Sequence, residues 1–188
     1  MKLFGSYTSP YVRHCRIVLA QNGQDCEFVE TDYEQSAELS PARRVPFLYD
    51  DKLMLTDSAS ILRYLREKAG QAFFPDIRDY DLFLLVNTAM GSAVNLFLLE
   101  RDGITTADCG YLVRQKGRVE DTLSFLDRQI GDGLSDANSD GVIRLGCFLS
   151  WALFRERISL DDHAALAQFQ RQFESDPQIA ATHPLKLG

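Results

Sequence analysis

The stretch Lys2–Arg16, KLFGSYTSPYVRHCR, decides the fold. Leu3-Phe4 reads as a short apolar strand running into a Gly/Ser/Thr turn that ends at Ser9-Pro10-Tyr11. Beyond it, Val12, Cys15, Val18 and Leu19 recur at helical spacing, with Arg13 and Arg16 between them. Proline suits the first turn of a helix, because the N–H it lacks has no partner there anyway. Ser9 therefore stands at or beside an N-cap, where free backbone N–H groups and the helix dipole favour an anion. Its hydroxyl can cap its own helix or donate to a thiolate held at that point.

Working outward, Gly23 stops the first helix and Glu27-Phe28-Val29-Glu30 alternates as a second strand. A weak helix is expected over Glu34–Leu39. Val45–Tyr49 reads as a strand, Asp50-Asp51 as a tight turn and Lys52–Leu55 as the hairpin partner. Thr56-Asp57-Ser58 offers caps for an amphipathic helix carrying Ile61, Leu62 and Leu65. The order is βαβαββα. Later residues show only helical periodicity, over Tyr80–Arg101, Ala107–Ile130, Ser139–Arg155 and Asp161–Phe173. Gly103, Gly131-Asp132-Gly133 and Asp176-Pro177 punctuate those helices. The expected division is an α/β domain over 1–72, a linker over 73–82 and an all-α domain over 83–188.

Composition narrows the function. The 188 residues are 45% hydrophobic with a net charge of −7, and Arg43-Arg44 is the longest basic run, which argues against nucleic acid. Cys15, Cys26, Cys109 and Cys147 form no CxxC pair and have no histidine at ligand spacing, so no metal site is expected. Free thiols in a reducing compartment are the simplest reading. The opening lacks the apolar core of a signal peptide, and no window was expected to approach the ~18 consecutive apolar residues of a membrane span. A cytoplasmic location follows as the expectation.

Three further points carry chemistry. Val45-Pro46 enters a strand directly from a loop. A cis peptide there turns the N–H and C=O of Val45 outward, as a pair for an extended peptide. A trans edge proline is the alternative. Asp57-Ser58 at a helix start can hold an ammonium group and a carboxylate, the two charges of an amino-acid head, or can be a plain cap. Arg44 can hold a second carboxylate. Ser9-Pro10-Tyr11-Val12 also lies where a thioredoxin-like redox protein carries Cys-Pro-Tyr-Cys. With both thiols absent, disulfide exchange there is excluded, since it needs a thiolate and a resolving thiol. Together these points describe an extended thiol peptide as ligand.

Over essentially its whole length the chain resembles a bacterial cytosolic glutathione transferase. The resemblance rests on SYTSPYVRHCRIVLAQNG, SPARRVPFL, TDSASILRYL and GCFLSWALFR in that order, with an opening closest to serine-type and omega-like members. It implies a thioredoxin-like domain that holds glutathione, and a helical bundle domain that supplies the pocket for a small hydrophobic electrophile. It also implies a homodimer. By the family pattern Ser9 activates the glutathione thiol, with Thr8 as the competing hydroxyl, and Tyr11 is a wall of the pocket. Val45, before Pro46, pairs with the cysteinyl backbone. Asp57 and Ser58 hold the γ-glutamyl head, and Arg44 approaches the glycyl carboxylate. Peroxidase or dehalogenase activity could use the same site. The rival is a non-catalytic binding or regulatory protein of this fold, resembling stringent starvation protein A.

Two departures from the family pattern stand out. Arg43 occupies a loop position where glycine is frequent. Ser139 is followed by Val142, where an acidic residue would complete a capping box, and this predicts a less firmly nucleated helix.

Overall fold

A computed structural model describes residues 1–131 and 138–184. The Asp132-Gly133 part of the expected punctuation lies outside them. The chain forms two compact units, Met1–Pro75 with Ser175–Gly188, and Asp76–Glu174.

The first unit is built on a four-stranded sheet of order β2-β1-β3-β4. Its elements are β1 (Lys2–Gly5), α1 (Pro10–Gln21), β2 (Glu27–Glu30), α2 (Tyr33–Leu39), β3 (Phe47–Asp50), β4 (Leu53–Leu55) and α3 (Ser58–Lys68). β1 runs parallel to β2 and antiparallel to β3, and β4 returns as the hairpin partner of β3. This is the expected α/β arrangement. Leu3, Phe47 and Leu48 from the sheet are fully buried with Val12, Cys15 and Val18 of α1 and Ile61, Leu62 and Leu65 of α3. Removing each such side chain from water contributes roughly 1.5–3 kcal/mol. Gly5 lets α1 seat closely, because a Cβ there would lie 2.6 Å from Val12 Cγ2.

Helix starts in this unit are capped locally. Ser9 Oγ accepts from Val12 N, and Asp57 Oδ1 accepts from Ala59 N at 2.8 Å. The weak α2 begins one residue earlier than expected. It is held by a full capping box, in which Asp32 accepts from Gln35 N and the Gln35 side chain accepts from Asp32 N.

Asp176-Pro177, read in the sequence as punctuation, falls between α7 (Ala164–Ser175) and a further short helix that it starts. Asp176 Oδ1 accepts from Gln178 N and Pro177 takes the first position of α8 (Pro177–Ala180). This helix belongs to the first unit and packs on α1. There the buried Arg13 donates to Ile179 O at 3.1 Å and to Thr182 Oγ1 at 2.9 Å.

The second unit is helical: α4 (Ile77–Arg101), α5 (Gly110–Gly131), α6 (Asp140–Phe154) and α7 (Ala164–Ser175). α4 packs against both α5 and α6. It begins inside the expected 73–82 linker, because Asp76 caps Arg78 N at 2.9 Å and so nucleates the helix early. α5 starts later than the expected Ala107, because Asp108 folds back to accept from Thr105 N and Thr105 Oγ1.

α4 bears on the membrane expectation, although Asn87, Thr88, Ser92 and Asn95 keep it from being an unbroken apolar run. α4 is long and apolar enough to cross a bilayer by length and composition, with an 18-residue window of mean hydropathy 1.9 that is 33% buried. Its charges sit at the two ends, leaving residues 82–99 with none.

α6 also departs from expectation. Asp79, 5% exposed, reaches from α4 and accepts from Ser139 Oγ at 2.5 Å and from Gly141 N at 3.0 Å. That carboxylate supplies from a distance the acid missing from the local box. α7 is treated the same way, with Asp127 of α5 accepting from Leu166 N at 2.9 Å.

Candidate functional site

The strand register brings the candidate residues to one end of the sheet. Phe4 pairs with Phe47 and Leu48 with Leu55. β1 therefore leaves the sheet after Gly5 at the same end where β3 enters it before Phe47 and β4 leaves it after Leu55. The Ser6–Ser9 turn, the Arg43–Pro46 loop and the Thr56–Ser58 turn meet there.

The turn holds three hydroxyls in different states. Ser6 Oγ and Thr8 Oγ1 are bonded to each other at 3.1 Å, and Thr8 N donates to Ser6 Oγ at 3.3 Å. Ser9 Oγ accepts from Val12 N at 3.4 Å, well beyond the usual ~2.9–3.0 Å of an N–H···O bond. Among the described residues Ser9 Oγ donates to no acceptor, so its proton is available at the positive end of α1. Thr8, by contrast, shares its hydroxyl with Ser6. Ser6 was not singled out from the sequence, and the hydroxyl run of the turn was the signal that could have found it. Tyr11 is half-buried in the first turn of α1.

The loop before β3 holds Val45-Pro46 as a cis peptide, with Pro46 buried and Val45 half-buried. Arg43 has φ +51°, the left-handed backbone that glycine adopts without penalty. Arg43 N closes the turn on Ser40 O at 2.9 Å.

Arg44 Nη2 pairs with Asp57 Oδ2 at 2.8 Å, so both carboxylate oxygens of Asp57 are engaged, one by Arg44 and one by Ala59 N. Both side chains are more than half exposed. Ser58 is buried beneath them at the first position of α3. No hydrogen bond links Ser9 to the Arg44–Asp57 pair among the described residues. Chemically, one end of the first unit offers a hydroxyl donor at a helix start, a cis-proline loop and an exposed acid–base pair at a second helix start.

Residues 3–73 match the family described as "Glutathione S-transferase, N-terminal domain". The chain is 26% identical over 202 aligned residues to an uncharacterized GST-like protein, YibF, of Escherichia coli strain K12, covering 99% of this chain and all of that one. Its fold is similar to that of a glutathione S-transferase from Methylobacillus flagellatus with glutathione bound. That match has a TM-score of 0.85 and 23% identity, over 97% of this chain and 98% of that one. A glutathione S-transferase from Methylobacterium radiotolerans, in complex with glutathione sulfonate, gives a TM-score of 0.84 at 23% identity, over 97% and 94% of the two chains.

Proposed function

Because residues 3–73 belong to the glutathione S-transferase N-terminal domain family and the whole chain has the fold of bacterial glutathione transferases, we propose that this protein is a glutathione transferase in which Ser9 activates the glutathione thiol. The observation that carries the assignment to Ser9 is its hydroxyl, which donates to no acceptor among the described residues at the start of α1, while the hydroxyls of Thr8 and Ser6 are bonded to each other.

The energetics are sufficient. A free thiol has a pKa near ~8.5, and helix starts with nearby donors bring such values to about 3.5–7.5. A fall of about two units corresponds to ~2.7 kcal/mol of preference for the thiolate. A hydrogen bond to a charged acceptor contributes ~1.5–3 kcal/mol and the helix dipole about 0.3–1 kcal/mol. The thiolate then attacks a small hydrophobic electrophile. In the same reading, Val45 before Pro46 pairs with the cysteinyl backbone, Asp57 and Ser58 hold the γ-glutamyl head, Arg44 takes the glycyl carboxylate and Tyr11 walls the pocket. Glutathione binding exchanges the Arg44–Asp57 ion pair for pairs with the ligand's own charges.

A homodimer belongs to this proposal. Ile77, Tyr80 and Leu84 recur at i, i+3 and i+7 along α4 and are 75%, 40% and 43% exposed, an apolar stripe suited to a second copy. A cytoplasmic location belongs to it as well. One observation favours the rival reading of a non-catalytic binding protein: Asp57 is already satisfied by Arg44 and Ala59 N.

Calorimetry with glutathione separates the two. Wild type is expected to bind, Asp57→Ala to bind weakly, and Ser9→Ala to bind with the bound thiol's pKa raised. Absence of binding at millimolar glutathione sinks the enzyme reading. Binding with an unchanged thiol pKa in Ser9→Ala moves the activating role to Thr8 or a backbone donor.

A further inference from the structure

Ser9 caps α1, yet α1 holds its hydroxyl loosely, through a 3.4 Å bond from Val12 N. The firmer hold comes from the other side. Ser9 N donates to Ser6 O at 3.0 Å and closes a turn that has Tyr7 and Thr8 at its two corners. The direction of the Ser9 hydroxyl is therefore set by whatever fixes those corners. Thr8 is fixed within the turn, by Ser6. Tyr7 is fixed from outside it.

The ring of Tyr7 lies 4.6 Å from that of Phe28 on β2, tilted by 41°. The guanidinium of Arg16 lies 4.9 Å over the Tyr7 ring and 5.5 Å over that of Phe28, so one cation covers both rings. Arg16 belongs to α1 itself. Side chains on a helix lean toward its N-terminus, which lets a residue in the second turn of α1 reach back to the turn that leads into the helix. Arg16 is half-buried, and its Nη1 donates to Thr182 O at 3.4 Å. Thr182 is in turn anchored by Arg13 at 2.9 Å. The arginine is braced by the C-terminal segment while it stacks on the turn.

We propose that Tyr7 and Arg16 are positioning residues for Ser9: the ring of Tyr7, packed on Phe28 under the guanidinium of Arg16, keeps the Ser6–Ser9 turn closed and so aims the Ser9 hydroxyl at the thiol. This inference rests on the reading of Ser9 as the thiol activator. Hydrogen bonds weaken steeply with misalignment, so a hydroxyl with a long cap bond depends on its lead-in turn for direction. In this role both residues act through the backbone of the turn and need not touch the thiol.

Two readouts on the full chain test it. Without ligand, hydrogen exchange of the Ser9 amide reports how often the turn opens. Tyr7→Leu and Arg16→Gln are each expected to speed that exchange by about tenfold, while the amides of the buried Leu62 and Leu65 in α3 exchange as in wild type. With glutathione bound, the same two variants are expected to raise the thiol pKa by about half a unit, which lowers the thiolate fraction about threefold below that pKa. Tyr7→Phe keeps the ring and is expected to match wild type in both readouts. Arg16→Gln leaves the Tyr7–Phe28 pair in place, so it carries the test if Tyr7→Leu fails to fold. Unchanged Ser9 exchange in the variants, or faster exchange shared with Leu62 and Leu65, overturns the positioning role. So does a thiol pKa that moves in Ser9→Ala but in neither of the two variants, and Ser9 then remains the activator. A thiol pKa that stays put even in Ser9→Ala overturns the reading of Ser9 and this inference with it.

Discussion

The starts of α1 and α6 are built from nearly the same sequence and end in opposite situations. Each opens on a serine followed three residues later by valine, Ser9-Val12 and Ser139-Val142. In each the hydroxyl accepts from the valine N–H at 3.4 Å. At α6 the chain supplies its own anion, since Ser139 Oγ and Gly141 N both donate to the buried Asp79. At α1 no internal carboxylate takes that place, and the hydroxyl proton of Ser9 has no acceptor among the described residues. A helix start that holds an anion from its own chain contributes stability. One without such an anion is available to a ligand.

The sharpest way to break this contrast is at Gly141. A Cβ there would lie 2.4 Å from Asp79 Oδ1 and 2.6 Å from Asp79 O, too close for the carboxylate to stay. Gly141→Ala is expected to cost about 3 kcal/mol in denaturant unfolding, and a loss below about 0.5 kcal/mol would show that the close approach does not matter. Asp79→Ala removes the acceptor without the clash and should cost about 2 kcal/mol, whereas Asp79→Asn keeps an acceptor and should cost less than about 1 kcal/mol. Equal losses for the two variants would mean that capping is not what Asp79 does.

Ser9→Ala probes the other member of the pair. Its main expected effect is on chemistry: the pKa of bound glutathione rises by about one unit and kcat/KM falls about tenfold, equivalent to ~1.4 kcal/mol. Its loss of stability should stay near or below ~1 kcal/mol. A variant that unfolds while keeping the thiol pKa would reverse the assignment of roles.

The smallest effect is pH-linked. Burial pushes the Asp79 carboxyl above its ordinary 3.8, so the folded chain holds that proton more tightly than the unfolded chain. Relative to Asp79→Asn, wild-type stability should therefore rise as pH falls through the raised value toward 3.8, and that gain is lost as pH climbs above it. Urea titrations of the two proteins at about pH 7 and about pH 4 check the sign.

Capping also explains what the sequence could and could not reveal. In the first unit the cap and the capped amide are neighbours in sequence, as with Ser9, Asp32 and Asp57, and periodicity plus cap residues located β1, α1, β3, β4 and α3. In the second unit α6 and α7 are capped by Asp79 and Asp127 from other helices, a partnership that no local pattern contains. That is why α6 was expected to be poorly nucleated, although its acid lay 60 residues upstream of Ser139. Asp176-Pro177 was legible as a break but not as a helix start, because an Asp-Pro pair is equally either, and only Gln178 and Ile179 bonding back to Asp176 decides it. For the candidate site, residue types were legible and mutual state was not. Nothing in the sequence says that Thr8 is engaged by Ser6 or that Asp57 is held by Arg44.

The Arg13 clamp has a consequence for how this chain is made. The first unit is drawn from both ends of the sequence, whereas the second is one uninterrupted run, Asp76–Glu174. During synthesis, which proceeds from the N-terminus at roughly 5–20 residues per second, the helical unit can close as soon as its own residues have emerged. The sheet unit must wait. Arg13 gains Ile179 and Thr182 only after the whole helical unit between them has been translated. The helix that begins at Ser9 is therefore made before the helical unit and fully anchored after it.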